Sequence, residues 1–565
     1  MHMHGYGIIE YSRPCDNILL EANIKSTGGA IVFLTMLKDE KVEFTPDFCS
    51  SMNFSFVLDK EVITNEEINR EIINLNPMCT GHEKIPEYLN NRILVGWDGA
   101  NDPENPKNWP YWKKILTTVI LCAITASQYA GSAIVTTVQP RLQEYFGAND
   151  AETSLGIALY VWGYGLGDLW FTPMSEIPLF RGRNPTYIGC QFLFAVLQIP
   201  LALSTNLPGY LVLRFLSGIF ASPPLSTTAA SINDIWDMPE QGAALCLFVL
   251  GQAMGPYLGP LLGAALTLSH PFRYMFWALL AISGGMLVIM VLFLPETSEQ
   301  ELLMRKAKKL RKEMENESYI APGEILMHTQ TPGAVLKEMF FKPIKMTIID
   351  PLLLLIDIHV ALVYASMYLY LEAMPLVYAD IYGFNTVQLG VAFMPCVVGN
   401  IVGGLVYLVY IWKTRDLLET SPEKVFGPCT IVGSISFCAG MVLWGWLSRE
   451  GIHWASGLVG NLLFGIGDMT TFQGYFAFIG VLYPVTSSGS AYASNNLARA
   501  TFSGATLMFA EYMYHNTAVG AVKHYPVAVG CTILAGIGFL FLPLPVYIMM
   551  NFNNLREKAA RKYAK

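Results

Sequence analysis

The chain is 565 residues long, 53% hydrophobic and only 14% charged, with a net charge of −8 and a mean hydropathy of +0.39. A soluble domain carries about 25% charged residues, so most of this surface must face lipid. The acidic balance, without any basic and aromatic stripe, argues against nucleic acid as a partner. Ten cysteines show no CxxC pair and no metal-ligand spacing with histidine, so most read as small buried hydrophobes.

Residues 1–100 are polar and irregular and read as a cytoplasmic extension, largely disordered. The first apolar patch, Ala30–Leu37, is too short for a secretory signal or a span. The Asn53-Phe54-Ser55 sequon would be idle there, and Met1–His4 reads as a bare tail rather than a metal site. Twelve stretches follow with roughly the 17–25 residues a helix needs to cross a bilayer. They lie near 115–135, 153–173, 186–204, 209–231, 243–267, 273–294, 350–374, 387–411, 427–447, 455–480, 487–511 and 526–550. The gap after Pro295 holds RKAKKLRKEMENE, a charge run that cannot cross a membrane, and divides the stretches six and six. The expected fold is an all-α integral membrane protein of 12 transmembrane helices, arranged as two six-helix bundles at 101–294 and 349–550. A cytoplasmic central loop (295–348) joins them and a cytoplasmic tail (551–565) follows. With both termini cytoplasmic, inner segments hold 22 Lys and Arg against 4 outside (Arg141, Arg273, Arg449, Lys523). That bias places both ends inside.

Six plus six spans imply an internal repeat, with a substrate site near the bilayer midplane between the halves. The fourth span begins Arg214-Phe-Leu-Ser-Gly218 and the tenth Asn461-Leu-Leu-Phe-Gly465. The frame matches, but the charge stands in one copy only, which suits an ion-coupled machine and equally suits drift. In the fifth span, GAALCLFVLGQAMGPYLGPLLG (Gly242–Gly263) sets Gly251, Gly255, Gly259 and Gly263 four apart on one helix face, around Pro256. Such a face admits a neighbouring helix closely, and the proline permits a bend.

The run Gly242, Gly251, Gly255, Pro256, Gly259 resembles the antiporter motif of the major facilitator superfamily, G-x8-G-x3-G-P-x2-G-G, with Pro260 replacing the last glycine. Four further patches resemble the twelve-span fungal drug:proton antiporters of that superfamily. They are WDGANDPENPKNWP (Trp97–Pro110), the motif A region GYGLGDLWFTPMSEIPLFRGRNP (Gly163–Pro185), Pro295-Glu-Thr-Ser298 and AYASNNLARATFSG (Ala491–Gly504). The resemblance covers residues 95–550 or so and implies a multidrug or polyamine exporter coupled to protons. It also implies a gate at Glu176, Arg181 and Arg183, whose ion pairs form in one state and break in the other. Arg214, at the motif B position R-x-x-x-G, would be tied to proton transfer; snorkelling to the outer interface is the alternative. Asp168 departs from the family's uncharged residue, and either faces the loop cluster or adds a second titratable site.

Ionisable residues within spans are costly and default to functional candidates. In the seventh span Asp357, Ala361, Tyr364, Tyr368 and Glu372 share one helix face, while His359 lies about 200° around from Asp357. Aromatic walls with an acid suit apolar or cationic molecules. Glu372 also matches the family's Glu-Ala-x-Pro turn. In the tenth span Asn461, Gly465, Asp468, Phe472, Tyr475 and Phe476 share another face, with Gln473 beside it. Arg499 is a candidate partner for Asp468, and Asn496 and Arg499 sit at family-like positions. Asp357, Asp468 and Arg214 are the proton-coupling candidates. Tyr364, Tyr368, Glu372, Phe472, Gln473, Phe476, Asn496 and Arg499 are the cavity candidates.

The favoured reading is proton-coupled export of small apolar or cationic molecules (drug or xenobiotic efflux) by alternating access, from a functional monomer in the lipid bilayer. A carrier of one metabolite, such as a polyamine or vitamin, and a transporter-like membrane sensor are the alternatives. Plasma membrane is favoured over vacuole. No enzyme and no cofactor are expected, since the sequence has no P-loop, zinc spacing, nucleophile elbow or intramembrane HxxxH-type cluster.

Overall fold

The computed structural model describes residues 7–8, 21–25, 31–34, 92–99, 101–176, 181–329, 332–483, 485–517 and 527–563. Most of the expected 1–100 extension, with the Asn53 sequon and Met1–His4, lies outside them. The first helices are α1 (Tyr111–Ala133) with α2 (Gln139–Phe146), α3 (Asp150–Glu176), α4 (Arg183–Ala202), α5 (Leu207–Ala221) with α6 (Pro223–Ile235), α7 (Met238–Leu266) and α8 (Tyr274–Phe293). Next come α9 (Glu299–Glu313), α10 (Pro322–Thr329) and α11 (Pro332–Ile349). The second series is α12 (Pro351–Tyr378), α13 (Thr386–Ala392) with α14 (Met394–Lys413), the short α15 (Arg415–Thr420), α16 (Glu423–Leu447) and α17 (Ala455–Leu482). It ends with α18 (Val485–Leu507), α19 (Ala510–Thr517) and α20 (Ala528–Leu540) with α21 (Pro543–Tyr563).

Helices stand at all twelve expected stretches, and eight spans are long and apolar enough to cross a membrane. The second, fourth, tenth and eleventh are not. α3, α17 and α18 have the length but are too polar, and the fourth breaks at Ser222 before Pro223. These four carry Asp168, Arg214, Asp468 and Arg499, each at most 3% exposed. Their polar residues are turned inward, where lipid never meets them. Hydropathy alone therefore misses the very helices that line the centre.

The internal repeat shows in how the helices cross. A Cβ on Gly163 of α3 would lie 2.3 Å from the Phe215 carbonyl, and one on Gly218 would lie 2.1 Å from the Tyr160 carbonyl. In the second half, a Cβ on Gly399 of α14 would lie 2.3 Å from the Leu462 carbonyl and one on Gly465 2.3 Å from the Cys396 carbonyl. Second on fourth and eighth on tenth are thus the same crossing, with glycines at matching offsets. The frame read in Arg214–Gly218 and Asn461–Gly465 is this contact. The halves then meet through two long pairings, α3 with α18 and α7 with α14.

Packing divides the chain into two units, Met1–Asp102 with Leu302–His328, and Pro103–Glu301 with Thr329–Lys565. In the first, β1 (Gly7–Ile8), β2 (Glu21–Lys25) and β3 (Ile31–Leu34) form an antiparallel sheet in that order, and β4 (Ile93–Leu94) runs parallel to β5 (Tyr319–Ile320). Val95, Leu303, Ala307 and Ala321 make its small apolar core. Lys306 reaches Asp98 and Asp102 at 2.8 Å each. Burial works to lower its pKa, but the two carboxylates outweigh it and hold the ammonium above the ordinary lysine value. The second unit contains every spanning helix.

Candidate functional site

The expected face of the seventh span is a ladder of three contacts with the first half. Tyr364 shares a hydrogen bond with Tyr164 of α3, hydroxyl to hydroxyl at 2.8 Å. Tyr368 does the same with the Ser132 hydroxyl of α1 at 2.9 Å. Glu372 accepts from Gln139 Nε2 at 2.9 Å and from the Ser154 hydroxyl at 3.1 Å. Steps of four along one helix place all three side chains over the same neighbours. Asp357, at the other end of that face, turns to its own half and accepts from Ser494 at 2.6 Å and Asn495 Nδ2 at 2.9 Å. His359 lies apart as expected, with Nδ1 at 2.7 Å from the Tyr475 hydroxyl and its ring stacked on Phe541.

Around the ladder the interface is aromatic. Tyr129 meets Tyr164 and Tyr364 edge-on, and Tyr364 meets Tyr368 edge-on at 5.4 Å between centroids. The Arg499 guanidinium lies over Phe472 at 4.5 Å, Tyr364 at 4.9 Å and Phe476 at 5.8 Å. Phe472 and Phe476 stack at 4.7 Å. Gln473 points away and donates to the Tyr407 hydroxyl at 3.1 Å. Asn461 is fully buried, and neither of its polar side-chain atoms has a hydrogen-bond partner among the described residues.

Arg499 makes no ion pair with Asp468 within 4 Å. It donates from Nη2 to Asn496 Oδ1 at 2.9 Å, and Asn496 Nδ2 donates to Asp168 Oδ2 at 2.9 Å. The other oxygen of Asp168 accepts from Thr172 at 2.7 Å and from Ser226. Asp168 therefore sits in the interface between halves, not in the loop cluster. Asp468 is 3% exposed and lies beside the Tyr257 hydroxyl of the fifth span.

Arg214 neither snorkels nor meets an acid. It is 1% exposed, and donates to three carbonyls: Gly131 at 2.9 Å, Ser132 at 2.7 Å and Gly156 at 3.1 Å. The first two belong to the last turn of α1, whose carbonyls have no partner further along that helix. A cation there also complements the negative end of the helix dipole. In these contacts Arg214 is a helix cap, stacked over Tyr160 at 4.7 Å.

The two motif A arginines differ in their surroundings. Glu176 is the last residue of α3, and its side chain lies outside the described residues. Arg181 is exposed, with a left-handed backbone at φ 61°. Arg183 is buried and pairs with Asp234 at 2.8 Å. The Glu296 carboxylate accepts from the backbone N–H of Arg183 and Asn184, both at 3.1 Å, so it caps the start of α4. Gly182 leaves room for it, because a Cβ there would lie 2.5 Å from Glu296 Oε2. Asp234 belongs to the first half and Glu296 lies just past its last helix, so these contacts brace one bundle. The antiporter stripe does likewise: Gly251, Gly255, Gly259 and Gly263 all face α1 and the residues just after it, with Pro256 inside α7, whereas Gly242 faces Ile411 of the other half.

Sequence reasoning did not find Gln139, Ser154, Tyr164, Asp234 or Glu296. Tyr164, within the quoted Gly163–Pro185 patch, and Glu296, within Pro295–Ser298, lay in segments that the resemblance marked; the other three gave no signal.

The sequence matches the Major Facilitator Superfamily over residues 120–508. It is 37% identical over 478 residues to "Transporter mfs1" of Schizosaccharomyces pombe, covering 84% of this chain and 88% of the relative. It is also 37% identical over 487 residues to the cycloheximide resistance protein of Candida maltosa, covering 85% and 87%. Its fold is similar to the proton:xylose symporter XylE bound to 6-bromo-6-deoxy-D-glucose, with a TM-score of 0.57 at 14% identity over 78% of this chain and 96% of that one. With a buried polar centre between two matched series of helices, and relatives aligned over most of their length, this multi-pass membrane chain belongs to the major facilitator superfamily of transporters.

Proposed function

We propose that the chain exports small apolar or cationic molecules, drugs among them, in exchange for protons. The observation that carries this reading is a buried polar bridge between the halves, in which Arg499 donates to Asn496 and Asn496 to Asp168, with Asp357 and Asp468 also buried within spans. Charges held this deep are costly unless the working cycle uses them. The relative named for cycloheximide resistance supports export of a foreign compound. The two six-helix bundles would rock about the tyrosine ladder, exposing the aromatic centre first inside and then outside. Asp357 and Asp468 are proton acceptors in this scheme. Arg214 holds the end of α1 in place rather than tuning either acid. Glu176, Arg181 and Arg183 steady the loop around which the first half moves. The rings of Tyr364, Phe472 and Phe476 already face the Arg499 guanidinium, which favours uncharged cargo over cations at those faces. Both termini are cytoplasmic, the membrane is the plasma membrane, and a single chain encloses the whole pathway.

The test is transport by the full chain in proteoliposomes, with radiolabelled cycloheximide and the cationic dye rhodamine 6G as probes. Uphill movement of either one, driven by an imposed proton gradient, is expected. Movement indifferent to the gradient would refute the coupling. Failure to move either probe would favour a carrier with one narrow metabolite or a membrane sensor.

A further inference from the structure

Arg214 and Arg499 are the most deeply buried arginines described within the spans, at 1% and 0% exposure. The fold treats them differently. Arg214 directs Nε, Nη1 and Nη2 at the carbonyls of Gly156, Gly131 and Ser132. Arg499 donates from Nη2 to Asn496, but its Nε and Nη1 have no hydrogen-bond partner among the described residues.

A guanidinium has only donors, and a buried N–H without an acceptor bears its full desolvation cost. The head of Arg499 lies among rings, 4.5 Å from Phe472, 4.9 Å from Tyr364 and 5.8 Å from Phe476. Their faces attract the charge, but they offer its N–H groups no lone pair. Asp168 is reached only through Asn496, and Asp357 is held by Ser494 and Asn495. Two more buried groups of this centre lack partners among the described residues. They are the hydroxyl of Tyr129, which meets Tyr364 edge-on, and that of Ser503, one turn along α18 from Arg499. Both residues are at most 1% exposed.

These groups come from both halves. Tyr129 belongs to α1, Tyr364 to α12, Phe472 and Phe476 to α17, and Arg499 and Ser503 to α18. Movement of one bundle against the other therefore opens this centre to an entering molecule. What such a molecule must bring is set by the inventory of donors. An oxygen lone pair satisfies Nε or Nη1, and an apolar ring system continues the stack of Phe472 on Phe476. A positive charge meets the like charge of Arg499 and gives its donors nothing. The Oδ2 oxygen of Asp468, on α17, also lacks a hydrogen-bond partner among the described residues. A cation would meet that acid, and Arg499 would only oppose it.

We propose that Arg499 anchors the cargo of the central site, donating through Nε and Nη1 to a carbonyl or similar acceptor oxygen on uncharged molecules whose rings lie against Phe472 and Phe476. This rests on the export reading above and names the class of cargo. The bond to Asn496 fixes the guanidinium by one corner and leaves its other donors turned to the aromatic centre. A molecule of the same shape without the oxygen fills the aromatic space but leaves those donors unpaired, and selection against it follows from that loss.

Equilibrium binding to the full chain in detergent, with no proton gradient, tests it. The probes are radiolabelled cycloheximide, which is uncharged and bears imide and ketone carbonyls, and the cation rhodamine 6G. Arg499→Met keeps the bulk and removes the donors. Its affinity for cycloheximide should fall at least ~10-fold, the factor one hydrogen bond to a charged group is worth. Its affinity for rhodamine 6G should rise, because a like charge has gone. Arg499→Gln returns an amide donor without the charge and should recover part of the cycloheximide affinity. A second arm needs no variant, so it decides the matter even where Arg499→Met does not fold. On the unaltered chain, 9-fluorenone should displace cycloheximide at least ~10-fold better than fluorene, the same ring system without the oxygen, at free concentrations measured by dialysis. Equal displacement by the two would overturn the anchor. So would unchanged cycloheximide affinity in Arg499→Met, or loss of both probes alike in Arg499→Met that still melts cooperatively, the mark of a purely structural arginine. If the unaltered chain binds neither probe, the export reading itself fails and this inference with it, and that is seen before any variant is compared.

Discussion

The glycine stripe of α7 supplies a steep and ordered test of the packing. A Cβ at Gly259 would lie 2.4 Å from the Ala130 carbonyl oxygen and one at Gly263 2.1 Å from that of Ile134, whereas ordinary contact begins at 3.4 Å. The backbone just opposite α7 must therefore retreat by about 1 Å, and it cannot, because α1 carries Ser132 of the ladder and two of the carbonyls that hold Arg214. Overpacking of this kind costs ~1–3 kcal/mol, and backbone against backbone belongs at the upper end. Replacing a helical glycine by alanine returns ~1 kcal/mol of helix propensity. The net loss for Gly259→Ala is then about 2 kcal/mol. Gly242, in the same motif, meets only the flexible end of Ile411 at 3.3 Å, so Gly242→Ala should gain about 0.5 kcal/mol. Thermal unfolding in detergent, followed with a thiol-reactive dye that detects exposure of Cys246, Cys396 and Cys531, would rank the variants. The expected order of melting temperature is Gly242→Ala above Gly251→Ala, with Gly259→Ala and Gly263→Ala at least ~3 °C lower. Equal behaviour of Gly242→Ala and Gly259→Ala would refute the assignment of the stripe to the α1 contact.

Three further outcomes are expected. A double-mutant cycle on Tyr164→Phe and Tyr364→Phe should give a coupling of ~1 kcal/mol in the same unfolding assay, and zero coupling would remove that rung. Glu372→Gln retains shape but loses one acceptor, and should raise hydrogen–deuterium exchange at α2 and the start of α3 about 10-fold; unchanged exchange would mean the contact closes nothing. Arg183→Met, which strips a buried cation from Asp234, should cost about 2 kcal/mol, while Arg181→Met should stay within ~0.5 kcal/mol. Equal effects would return both arginines to a shared gate.

The sequence was most legible where a pattern is internal to one helix. Steps of four fixed which residues of α12 share a face and which glycines of α7 do, and both faces are as expected. What they touch was not legible, because Gln139, Ser154 and Tyr164 lie 200 residues or more from their partners. Arg214 shows a second limit. Its partners are backbone carbonyls, which leave no trace in side-chain type, so an arginine that caps a helix reads like one that tunes an acid. Asp168 shows a third: its neighbour in the sequence is a charged loop, but α3 continues past it, and a helix carries a residue to wherever its face points. The twelve stretches were found by apolar length with their interruptions tolerated, whereas a strict hydropathy count loses the four that matter most to the centre.

Those four polar spans bear on how the protein is made. A charge at the middle of a helix opposes entry into the bilayer by about 2.5–3.5 kcal/mol, and α3, α5, α17 and α18 each carry one. As each leaves the ribosome it is a poor substrate for insertion by itself. It must be held until a partner is available: α5 for the glycines of α3, and α14 for those of α17. The eleventh span packs both on α12 of its own half and on α3 of the first, so part of its polar face is covered only once the two halves are together. Acceptance of that helix into the membrane is thereby tied to the joining of the two bundles.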